Sequence, residues 1–99
     1  MKNLDLNMLS PFAANDDRET FTPKGVCSKL IRFAVEDGKV RNVAFTGGCD
    51  GNLKGIAKLV EGMDAEEVIE KLQGITCGKK ATSCPDQFSI ALREYLNNH

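Results

Sequence analysis

The residues of this chain best suited to chemistry are its four cysteines, Cys27, Cys49, Cys77 and Cys84. Four thiolates can close a tetrahedral zinc site with no open position. A reactive pair can do thiol–disulfide chemistry, and any single cysteine can pack as a small hydrophobe. The successive intervals of 21, 27 and 6 residues contain no tight C-x-x-C knuckle of the common zinc modules. Each cysteine does lie beside a turn or the end of an element, where backbone can fold around an ion. Cys49 follows Gly47-Gly48, Cys77 precedes Gly78, and Cys84 precedes Pro85. Cys27, on a strand, is the one best suited to inert packing. The only histidine, His99, is terminal, so neither a mixed Cys/His site nor a histidine base inside the fold is on offer.

Two further readings compete with zinc. Cys84 at a helix start, downstream of Lys79 and Lys80, sits where a thiolate is favoured, and Cys77, with six residues between the two, is its resolving partner. Separately, the stretch "GGCDGNLKG" places Gly47, Gly48, Gly51, Asn52 and Lys54 at a helix start, a candidate anion or nucleotide cradle. It lacks the G-x-x-x-x-G-K-[ST] pattern, and a tight strand-to-helix turn explains the same glycines.

Composition narrows the setting. Ninety-nine residues make one small domain, whose modest core gains from a metal staple. A formal charge of −1 gives no electrostatic reason to expect nucleic acid or an anionic membrane. With no Trp and only six aromatic residues, a base-stacking platform is not expected. No segment approaches the roughly 20 apolar residues that span a bilayer, and the start lacks a signal-peptide core. A cytoplasmic location is expected, and stable disulfides are rare there. Iron–sulfur ligation by four cysteines is a less favoured alternative to zinc.

The elements that must position these thiols read as α+β. Residues 1–20 are polar and irregular and read as a flexible leader ahead of one domain at 21–99. Strands at 26–35 and 39–46 flank "EDG" as an antiparallel hairpin, with room for a third strand. Ile31 and Phe33 share a face with Val43 and Phe45 only if odd positions pair with odd. A three-residue Glu36-Asp37-Gly38 turn provides this and a two-residue turn does not. The same parity would carry Cys27 and Cys49 to that face, at the open end of the hairpin. Three helices follow, at 51–61, 64–73 and 84–96, and cover one face of the sheet. Asp50 or Asn52 can cap the first, and Leu53, Ile56, Ala57 and Val60 form its stripe. In the second, Asp64 and Glu67 form a capping-box-like pair, and Val68, Ile69 and Leu72 are apolar. The third has Pro85 in its first turn, Asp86 favourable to its dipole, and Phe88, Ala91, Leu92 and Tyr95 facing the core.

The motifs "TPKGVCS" (22–28), "GGCDGNLKGIAKLVEGM" (47–63) and "LQGITCGKKATSCPDQ" (72–87) together carry a family resemblance. Over about residues 21–95 the chain resembles the small stand-alone TSCPD-domain proteins of bacteria. It is also similar to the domain near the C-terminus of adenosylcobalamin-dependent ribonucleotide reductases. Where that family usually has proline after the second cysteine, this chain has Asp50, which leaves the neighbouring thiol in place. The resemblance implies a metal role for Cys27, Cys49, Cys77 and Cys84. It also implies an association with ribonucleotide reduction, nucleotide binding and DNA synthesis. A reductase or a nucleotide is the implied partner, and a homodimer is left open. The name of a reductase does not transfer, because such an enzyme needs a large barrel, a radical cofactor and a substrate site that 99 residues cannot supply. The expectation is a zinc-binding accessory module. The alternative is a thiol electron donor using Cys77 and Cys84.

Overall fold

A computed structural model describes residues 18–48 and 50–99. In order, the elements are β1 (Glu19–Phe21), β2 (Ser28–Glu36), β3 (Lys39–Gly47), α1 (Asp50–Val60), α2 (Ala65–Leu72) and α3 (Cys84–Asn98). The three strands form one antiparallel sheet in the order β1-β2-β3. With three helices, the fold is α+β. The third strand is the short β1, whose Phe21 pairs with Ile31. β1 takes in Glu19 and Thr20, from the segment read as a leader; residues 1–17 of that segment lie outside the described residues.

The hairpin reaches the expected pairing by an unexpected route. Its turn has two residues and not three, because Glu36 pairs with Lys39. Asp37 and Gly38 both have positive φ, 55° and 77°, as a type I′ turn demands. That turn pairs odd with even, as in Val35 with Val40 and Ala34 with Arg41. A bulge then corrects the parity: Phe33 on β2 faces two residues, Asn42 and Val43, on β3. Asn42 takes the left-handed conformation, with φ 55°. Beyond it Ile31 pairs with Phe45, odd with odd, so the large side chains share the buried face.

A second irregularity lies at the open end. Ser28 pairs with Gly47 and Leu30 with Thr46, leaving Lys29 as the extra residue. The alternation slips by one, so Ser28 is buried where an unbroken strand would have pointed Cys27 inward. Cys27 itself lies in a bend before β2, not on a strand running through residue 26. The parity expected for Cys27 is therefore corrected by this bulge. Cys49, its expected neighbour, lies outside the described residues.

Helices pack on the face that carries Ile31, Phe33 and Val40. The core joins these to Val60, Ala65, Val68, Phe88, Ala91 and Leu92. Phe88 is fully buried, and Phe33 and Phe45 meet its ring edge-on at centroid distances of 5.7 and 5.8 Å. Burying one such side chain contributes roughly 1.5–3 kcal/mol. Backbone of residues 62–64 covers the start of the outer edge of β3. Val40 N–H donates to Met63 O at 2.8 Å, and Gly62 N–H donates to Val40 O at 2.7 Å. The Glu61 carboxylate accepts from the Asn42 N–H at the bulge, so unpaired backbone there is satisfied.

Asp64 stands at the N-cap of α2, but its side chain makes no capping bond. Its carboxylate instead takes the Lys39 ammonium at 2.9 Å, which corrects the capping-box reading. α1 starts at Asp50, so Asn52 lies inside the helix and is not its cap. Among the described residues, no helix is long and apolar enough to cross a membrane.

Candidate functional site

Three of the four cysteines converge. Cys27, Cys77 and Cys84 line one open cavity of about 440 Å³. Its walls come from four parts of the chain: the bend before β2, the inner side of α1 through Leu53 and Ile56, the loop after α2, and the start of α3. Cys84 is buried, whereas Cys27 and Cys77 are exposed, and all three are free thiols.

Cys84 is placed by the beginning of α3. Ser83 takes extended backbone at the N-cap, and its hydroxyl accepts from the Asp86 N–H at 3.2 Å. Pro85 follows in the first turn, where its missing N–H costs nothing. The Cys84 sulfur accepts a hydrogen bond from the Ser28 hydroxyl at 3.1 Å. The slipped register that turned Ser28 inward thus ties the hairpin to α3.

Cys27 sits against Gly48. A Cβ at Gly48 would come within 3.1 Å of Cys27 Sγ, 3.2 Å of Ser28 N and 3.0 Å of Leu53 Cδ1. Gly48 also has φ 81°, so both space and backbone call for glycine. Close packing accounts for this part of the glycine segment. Asn52 contributes to the cavity wall, while Gly51 and Lys54 lie exposed on α1.

Cys77 is placed by a short loop. Its N–H donates to Thr82 O at 3.2 Å, and its carbonyl accepts from the Lys80 N–H at 3.0 Å. Thr82 is anchored in turn: its hydroxyl donates to Asp86 Oδ2 at 2.5 Å and accepts from Gln87 Nε2 at 3.0 Å. Asp86 Oδ1 accepts from the Gly74 N–H at 2.7 Å. The Thr82 hydroxyl first, then the Gly74 amide, hold the Asp86 carboxyl below the usual carboxylate range against the opposing effect of burial, and Arg93 adds to the lowering. Asp86 is therefore a carboxylate at neutral pH, with both oxygens in use.

Every residue of "TSCPD" now has a position. The helix-start reading of Asp86 is too small a role for it. Ser28 and Gln87 also belong to the site, and the sequence reading missed both. Gln87 bridges Thr82 to the Lys24 N–H, which its Oε1 accepts at 3.0 Å. For Ser83 a signal was present, because serine three residues before an acid is an N-cap pattern. For Ser28 no local signal existed, since only the bulge at Lys29 turns it inward.

A family model for the TSCPD domain matches residues 12–96. The chain belongs to the TSCPD domain family. Comparison with curated proteins and with solved structures gave no match.

The TSCPD motif is thus the structural joint at which the Cys77 loop meets α3. Of the side chains that commonly ligate zinc, the cavity wall carries only cysteine, beside Asn52, Thr76, Lys80 and Ser83, and thiolates suit a soft or borderline metal. Gly48 brings the end of β3 against Cys27 Sγ with no room for a side chain between them. Among the described residues, no three His, Cys, Asp or Glu side chains are grouped so that they could hold a metal ion. Three thiols border the cavity without closing on a common centre, and Cys49 lies outside the described residues. The described residues match a metal site in donor type alone, not in grouping.

Proposed function

We propose that this TSCPD domain is a zinc-binding accessory module held by Cys27, Cys49, Cys77 and Cys84. The observation that carries this reading is the convergence of Cys27, Cys77 and Cys84, from three separated parts of the chain, on one cavity. Packing alone would not need thiols at two exposed positions there. Bound zinc would supply structural cross-linking, with all four positions taken by protein sulfur. The chain's own residues prepare for it. Ser28 donates to Cys84 Sγ, which suits a thiolate ligand, and Gly48 lets the end of β3 approach Cys27. The resemblance to the C-terminal domain of adenosylcobalamin-dependent ribonucleotide reductases supports a role beside such an enzyme or its nucleotides, and not catalysis by the chain alone.

The test is elemental analysis of protein purified without a metal-affinity step, together with thiol titration in native buffer. One zinc per chain with protected thiols is the expected result. No metal, with thiols that react at once, would overturn the reading.

A second reading has its own support. Cys84 begins α3, Cys77 lies across the same cavity, and Lys80 lines it as well. Here the two thiols would give two electrons and two protons to a partner disulfide, becoming a disulfide while the partner becomes a dithiol. Fast-reacting thiols mapped to Cys77 and Cys84, in a fold that survives chelation, would select this reading.

A further inference from the structure

We propose that Asp86 is a positioning residue of the thiol site, whose carboxylate ties the loop carrying Cys77 to the helix carrying Cys84. The inference rests on the reading that these two cysteines serve one site. It goes beyond a helix-start role, because the carboxylate reaches out of its own helix to both ends of the loop.

Gly74 opens the loop, and its N–H donates to Oδ1 at 2.7 Å. Thr82 closes it, and its hydroxyl donates to Oδ2 at 2.5 Å. Cys77 hangs between the two, its N–H bound to the carbonyl of the same Thr82 at 3.2 Å. Only one residue, Ser83, separates Thr82 from Cys84. The path from one thiol to the other therefore runs Cys77, Thr82, Asp86 and the first turn of α3, each step a hydrogen bond or a helix backbone. Two acceptor oxygens are required. An asparagine has only one, and its NH₂ would confront either the Gly74 N–H or the Thr82 hydroxyl. Were the Thr82 oxygen to accept from that NH₂ as well as from Gln87 Nε2, its own O–H would lose the carboxylate it now donates to.

The core does not depend on this clamp. The Ser83 hydroxyl still donates to Ile75 O at 2.6 Å, and Phe88, Ala91 and Leu92 still bury. Asp86→Asn should therefore fold with a loosened loop. If it does not, Thr82→Val removes half of the clamp at nearly constant side-chain shape and serves in its place.

The experiment titrates zinc ion against a competing chelator in the full chain, comparing wild type, Asp86→Asn and a control, Val68→Ala. Val68 is a core residue of α2 that does not line the cavity, so the control separates lost stability from lost positioning. Asp86→Asn should lower zinc affinity by about 10- to 100-fold, as loss of a ligand-orienting partner does. Val68→Ala should leave it near wild type. Equal affinity in Asp86→Asn and wild type, or an equal loss in Val68→Ala, overturns the proposal. If the wild type binds no zinc, it is the zinc reading that has failed, and amide exchange of the metal-free protein decides the clamp. Faster exchange at Cys77 in Asp86→Asn, with Val40 still protected, supports it. Unchanged exchange at Cys77 overturns it.

Discussion

The Ser28 hydroxyl donates to the Cys84 sulfur at 3.1 Å, joining the first residue of β2 to the first residue of α3. Both residues are buried, so the bond is shielded from water and either partner left alone would pay for it. Ser28→Ala should destabilise the metal-free domain by about 1 kcal/mol, read by urea unfolding in chelator. With zinc, the same variant should bind the ion about tenfold more weakly in competition titration. Unchanged affinity would mean that the serine only packs.

Gly48 and Gly38 share a left-handed backbone but differ in surroundings. A Cβ at Gly38 meets nothing within 4 Å, whereas one at Gly48 meets Leu53, Cys27 and Ser28 at 3.0 to 3.2 Å. Gly38→Ala should cost only the conformational penalty, roughly 1–2 kcal/mol. Gly48→Ala should cost about 1–3 kcal/mol more from crowding. Paired urea melts of the two variants give the difference. Equal costs would show that the end of β3 can move away from Cys27.

The two helix starts with acids or hydroxyls at the cap should respond differently. Ser83 makes a true cap bond to Asp86 N–H and also donates to Ile75 O, so Ser83→Ala should cost about 1–2 kcal/mol. Asp64 makes no cap bond and only pairs with exposed Lys39, so Asp64→Ala should cost about 0–1 kcal/mol. Thermal or denaturant melts rank them, and the reverse order would refute this account of α2.

Phe88 carries the centre of the core, with Phe33 and Phe45 both edge-on to its ring. Phe88→Ala should cost about 3–5 kcal/mol. A domain of this size holds only about 5–15 kcal/mol in total, so the variant should lose a large share of its stability without metal. Circular dichroism in chelator reads this directly, and recovery of helix on adding zinc would measure what the metal contributes.

How far the sequence alone could be read follows from which interactions are local. The three helices lie close to where period and punctuation put them, since Gly62 and Gly74, both left-handed, stop α1 and α2 near the expected residues. The faces are legible for the same reason: Leu53 and Val60, Val68, and Phe88 with Leu92 are buried as their spacing requires. The pairing of Ile31 with Phe45 also followed from burying large side chains on one face.

The route to that pairing was not legible. A local reading chose a three-residue turn, whereas the chain uses a two-residue Asp37-Gly38 turn and repairs the parity at Asn42. A bulge is a compromise between turn geometry and a distant core, and neither strand alone reveals it. The bulge at Lys29 is of the same kind, and it decides that Ser28 faces Cys84.

By itself, then, the sequence determined the element types, the buried faces, the motif and the residues able to act as thiolates. These depend on spacings of a few residues, where chain geometry is nearly invariant. Only the tertiary structure decided that Cys27 meets Cys77 and Cys84 at one cavity, and that Asp86 holds a loop as well as starting a helix. Those facts depend on how sheet, helices and loop dock, and the cooperative burial of one shared core sets that docking.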